Sequence, residues 1–200
     1  MLVGRLVAGW ADAVVVSAVS VVRASAKASE SASAANIRSV VLGWNWANPW
    51  HVGERFYRAV AAYDGRAVER FFRIYEDEIH DPKSGMPMRR GCTDGSVAMA
   101  GLFKVLWAYE HVGRPVPDAA AAIDFTLALQ HSDGEWGFRN NMCINFDALW
   151  VLYRLDRQMK GTHRHADIVV AALKKAFRTA YGEIEDAAIR KITGSVDRPG

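Results

Sequence analysis

From Trp44 onward the apolar residues recur at helical spacing, and no alternating run is long enough to make a half-buried strand. Phe56, Val60 and Tyr63 share one face of a first helix. Val68, Phe71, Phe72, Tyr75 and Ile79 predict a second after the Asp64-Gly65 break, so these two are expected to form a tight hairpin. Leu102, Leu106, Tyr109 and Val112 make a stripe on a third helix that Gly113, Pro115 and Pro117 end. A fourth starts near Asp118 and carries Ile123, Leu127 and Gln130. After a long loop, Leu149, Leu152, Tyr153 and Asp156 mark a fifth, opened by Asn145 or Asp147 as cap. A sixth runs from about His165 to Tyr181. The expected fold class is all-α.

The two long loops, 80–95 and 131–146, are alike. A shift of 51 residues lays His80 on His131, Cys92 on Cys143 and Asp94 on Asn145, and a helix follows each loop. A period of about 50 residues with two helices per unit describes an array of α/α hairpins, each burying its face against the next.

Upstream, residues 2–22 are apolar, but Arg5 and Asp12 divide them and leave too short a run to span a bilayer. Arg5, Val14 to Val22 and Ala24-Ser25-Ala26 imitate the three parts of a secretion signal, and Asp12 counts against one. Residues 23–35, RASAKASESASAA, hold no large apolar side chain and read as a linker or frayed helix. Residues 1–42 thus form a low-complexity tail or targeting segment, 43–190 the helical domain and 191–200 a second tail. Composition adds exclusions. The chain has 200 residues, half of them hydrophobic, which is enough to bury a core without disulfides. A formal net charge of +3 is too slight to favour nucleic acid or an anionic membrane as partner.

Phe125-Thr126-Leu127-Ala128-Leu129-Gln130-His131-Ser132-Asp133-Gly134-Glu135-Trp136-Gly137 resembles the QW repeat of squalene and terpenoid cyclases and their protein prenyltransferase relatives. Thr126 departs from the aliphatic residue usual at its position, and the basic residue that often opens the repeat is missing. The physics of the segment stands apart from the resemblance. Gln130 ends a helix with an amide able to bond exposed backbone groups, Asp133-Gly134 makes a turn, and Trp136 lays a large ring over the helix ends. The resemblance implies structural staples at Gln130 and Trp136, and an α/α toroid in which inner helices surround a cavity. The helices starting near Ser96 and Asp147 would then be equivalent inner helices, with their N-termini at one mouth. The readable helix pairs number about three, too few to close a ring, so a partial toroid, a self-associating chain or a piece of a longer protein is expected.

Cys92, Asp94, Cys143, Asn145 and Asp147 sit at those N-termini, where free N–H groups and the helix dipole favour an anionic ligand. The acid-rich Asp-x-Asp-Asp run of the cyclases is absent. The prenyltransferases hold zinc with Asp-x-Cys, whereas this chain has the reversed Cys92-Thr93-Asp94. Cys92 and Cys143, with Asp94 and either loop histidine, still have the chemistry of a tetrahedral zinc set; a Cys92–Cys143 disulfide and plain burial are the alternatives. Asp94 and Asp147 are the candidate acid and base, against a simpler role as helix caps. Trp136, Trp150, Asn145, His80 and His131 are candidate ligand contacts for an apolar or carbohydrate molecule. Trp44, Trp46 and Trp50 resemble a ring-stacking platform, with packing as the alternative. His163 and His165 read as polar surface, as do Lys174, Lys175 and Arg178. The competing function is a non-catalytic helical repeat that binds a protein.

Overall fold

A computed structural model describes residues 34–136, 142–163 and 166–181 of the chain. The apolar segment 2–22, the linker 23–33, Gly137 of the QW-like segment, His165, the side chain of Arg178 and the tail 191–200 lie outside the described residues.

Among the described residues the chain is all-helical, with one isolated bridge between Asp81 and Met86. The helices are α1 (Ala34–Leu42), α2 (Pro49–Ala62), α3 (Gly65–Glu78), α4 (Gly95–Val112), α5 (Ala119–Ala128), α6 (Met142–Gln158) and α7 (Ala166–Tyr181). α2 packs on α4, α4 on α6 and α1 on α3, each pair two apart in sequence. α5 packs on α6, and α7 touches both. The hairpin expected between α2 and α3 exists as a two-residue connection, yet α2 spends most of its surface on α4. Glycines explain that intimacy. A Cβ on Gly53 would lie 2.7 Å from the Gly101 carbonyl oxygen, and one on Gly101 would lie 2.5 Å from the Pro49 Cβ, so α2 and α4 approach too closely for a side chain at either glycine.

Rings fill the centre. Phe56 lies 5.1 Å from Tyr75 and 5.7 Å from Phe72, and Phe72 lies 4.6 Å from Tyr109, all between ring centroids. Trp46 is fully buried beside them and donates its Nε1–H to the Val41 carbonyl at 2.8 Å. The packing also begins earlier than position 43. Ile37 and Val41 of α1 are buried, and Arg38 reaches Glu78 at 2.7 Å. Alanines and serines around them mask so short an apolar stripe in the sequence.

The end of α4 follows its sequence signals. Gly113 adopts φ 69°, and its N–H and that of Arg114 return to the Glu110 and Tyr109 carbonyls. The start of α6 does not. The helix begins at Met142, so Asn145 and Asp147 lie inside it and neither is its cap.

Candidate functional site

The QW-like segment behaves as a staple. Gln130, two residues past the end of α5, donates its side-chain amide to the Gly134 carbonyl at 2.9 Å and to the Ala172 carbonyl of α7 at 3.1 Å. Trp136 is 0% exposed and donates its Nε1–H to the Thr126 carbonyl at 2.6 Å. Thr126 itself is tolerated in the core because its hydroxyl donates to the Ala122 carbonyl at 2.8 Å.

Trp136 also joins the starts of two helices. The Ser96 hydroxyl in the first turn of α4 donates to its carbonyl at 3.3 Å, and its own N–H donates to Asn145 Oδ1 of α6 at 2.8 Å. Asn145 therefore organises a loop and does not open a helix. Trp136 thus ties the first turn of α4 to Asn145 near the start of α6. The repeat is not kept in register, however: Asp94 precedes α4, whereas Asn145 lies inside α6.

The remaining sequence candidates separate. Asp94 caps α4, its Oδ1 accepting from Ser96 N at 2.9 Å and Val97 N at 3.1 Å. Cys92 is buried, its Sγ–H donates to the Asp94 carbonyl at 3.4 Å, and burial pushes its thiol up. Cys143 is exposed in the first turn of α6, and both cysteines are free thiols. Among the described residues no group of three or more His, Cys, Asp or Glu side chains gathers as a metal cluster needs. His80 is buried with Nε2 2.9 Å from Asp118 Oδ2, which fastens the loop after α3 to the start of α5. His131 is exposed, so the two loop histidines occupy different environments. His163, read from sequence as surface, is buried with Nε2 3.2 Å from Asp124 Oδ1. A histidine before a polar helix start carries no pattern that would reveal a partner on another helix.

Asp147 stands out. It is 4% exposed, its Oδ2 has no hydrogen-bond partner, and burial pushes its carboxyl up to about 7 against the opposing pull of Lys104. Lys104 projects from α4, its Nζ 5.4 Å from the centroid of the Trp50 ring of α2. Around this pair the sequence pattern concealed an aromatic surface. Phe103 meets Trp107 at 5.1 Å, Phe146 at 5.7 Å and Trp150 at 6.5 Å, while Tyr57 of α2 meets Trp107 at 5.9 Å. Phe146 and Trp150 stack at 6.2 Å with 27° between planes. Trp50, Trp107 and Trp150 stay partly open, and Phe146 is 42% exposed. The signal was available. Trp50 and Tyr57 are seven apart, Phe103 and Trp107 four, and Phe146 and Trp150 four, each a same-face spacing. The Trp44, Trp46 and Trp50 cluster gave only Trp50 to this surface.

A separate groove of about 420 Å³ opens at the other ends of α4 and α6, between Glu110, Arg114, Val116, Arg154 and Gln158. Ion pairs occupy its walls: Arg114 binds Glu69 and Glu76, and Arg154 binds Glu110. Among the described residues no helix is long and apolar enough to cross a membrane. Comparison with protein-family models, curated proteins and solved structures finds no match.

Proposed function

We propose that this chain is an α/α-toroid-like domain, akin to the terpenoid cyclases and protein prenyltransferases, that holds an apolar or carbohydrate ring against the α2, α4 and α6 layer, with Asp147 as its proton-transfer group. The observation that carries the reading is the Asp147 carboxyl, unpaired at one oxygen, buried and balanced near neutrality beside a partly open aromatic surface. An acid is most useful when its pKa lies near the working pH, because it is then both abundant and able to give up its proton. Protein interiors seldom leave a carboxyl oxygen without a partner, and such exceptions concentrate at functional sites. The aromatic rings supply the apolar contact and orientation that a ring ligand needs.

Asp94 has little freedom to serve as the second acid or base, since its carboxylate is engaged by two backbone N–H groups. The test is turnover of isoprenoid diphosphates and oligosaccharides by the full chain and by Asp147→Asn. A general acid contributes about 10²–10⁴-fold. An Asp147→Asn variant as active as the wild type on a substrate so found would remove Asp147 from the reaction.

A second reading has one observation in its favour. Phe146, 42% exposed on α6, is a large apolar group open to another protein or to a second copy that extends the unclosed layer. It predicts that Phe146→Asp dissociates an oligomer in sedimentation while leaving the helical signal unchanged.

A further inference from the structure

Asp147 and Trp150 are three residues apart on α6, which puts both on one side of the helix. Each holds a buried polar atom without a hydrogen-bond partner, Oδ2 of the carboxyl and Nε1 of the indole. The indole N–H can only donate, and a carboxyl oxygen accepts or, when protonated, donates. The two orphans are therefore complementary to a group that both accepts and donates. A hydroxyl does both with one oxygen. A hydrocarbon does neither and gains nothing from these two groups, whereas a hydroxyl that pairs with them gains about tenfold or more. Selectivity of this kind, built from unpaired groups in the site, discriminates far better than apolar contact alone.

We propose that the ring bound at this surface carries a hydroxyl, in the manner of a sugar or cyclic alcohol, and that this hydroxyl accepts from Trp150 Nε1 while it meets Asp147 Oδ2. The inference rests on the ring-binding reading above and selects between its two ligand classes. Binding of this kind requires the Phe146 ring, stacked on Trp150 and the most exposed ring of the surface, to turn aside. The Trp150 ring then offers its face to the ring carbons, with the Arg154 guanidinium 5.8 Å from the Trp150 ring centroid as a polar boundary.

The full chain, labelled with ¹⁵N, is titrated with cyclohexanol and with cyclohexane, which differ only in the hydroxyl. The Trp150 indole cross-peak is assigned by its loss in Trp150→Phe. Cyclohexanol is expected to bind at least about tenfold more tightly than cyclohexane and to move the Trp150 indole peak. Asp147→Leu and Trp150→Phe are expected to shrink that preference. The wild-type preference is itself a readout should either variant fail to fold. Equal binding of the two probes, with shifts at Trp50, Trp107 and Trp150, overturns the hydroxyl inference and leaves ring binding standing. No shift of any of these three peaks by either probe overturns the ring-binding reading and this inference with it.

Discussion

Burial of the Asp147 carboxyl is a stability effect as well as a chemical one. Its pKa rises from the ordinary 3.8 to about 7 in the folded chain, chiefly through burial. Between those values the folded state holds a proton that the unfolded state has lost, so stability falls as pH rises. The favourable contribution is complete below about 4 and gone above about 7, and three units correspond to an upper bound of about 4 kcal/mol. Glu110, also raised by burial against Arg154, tilts the curve in the same direction. Urea denaturation at pH 5 and pH 8 should therefore show a steeper loss for wild type than for Asp147→Asn. Equal slopes would mean that the carboxyl titrates alike in both states. Asp94 behaves differently: its loss to Ala should cost about 1 kcal/mol by urea denaturation, while Asp94→Asn, which keeps a side-chain acceptor, should cost much less. An Asp94→Ala variant as stable as the wild type would show that the cap contributes nothing. The Asp94 cap was legible because a capping carboxylate acts on neighbours two and three residues away. The roles of Asn145 and Asp147 were not, because the Asn145 bond to Trp136 and the opposition of Lys104 to Asp147 come from other elements.

At the scale of elements, α4 was readable from its stripe and its glycine stop, and its start gained from the Asp94 cap. The QW-like segment was readable as a staple for the same local reason: Gln130 and Trp136 return mainly to groups within ten residues. The α2–α4 contact was not readable, since Gly53 and Gly101 look like weaknesses in two helices until the chains are brought together. In an exposed helix Gly101→Ala would stabilise by about 1 kcal/mol. Here the added methyl would fall 2.5 Å from the Pro49 Cβ and 2.9 Å from the Pro49 carbonyl carbon, contacts that neither backbone can relieve without moving. Overpacking of this kind costs about 1–3 kcal/mol, which exceeds the propensity gain. The measured midpoint of thermal unfolding should therefore drop for Gly101→Ala. A rise would mean that the two helices separate easily and that the contact is soft.

For the whole molecule, the pattern of neighbours predicts where rigidity lies. α4 packs against both α2 and α6 and buries ten of its eighteen residues, whereas α7 packs mainly on α6 and α5. A helix covered on two sides opens only when its neighbours leave, so its amides exchange with solvent through global unfolding. α7 is expected to detach at smaller cost, because it packs less closely on its neighbours than α4 does; its described ties include the Gln130 amide and the buried Val169 and Ala172. Native-state hydrogen exchange in increasing urea should place the central amides of α4, from Met99 to Tyr109, on the same line as global unfolding, with those of α7 reaching it only at higher denaturant. The sequence pattern revealed α2 to α7 but neither α1 nor this order, since pairing between helices two apart depends on glycine contacts and ring edges that periodicity does not encode. Exchange of α4 through a local opening no more costly than that of α7 would show that the layer of α2, α4 and α6 is not the rigid part. The aromatic surface beside Asp147 would then lack the fixed geometry that ring recognition demands.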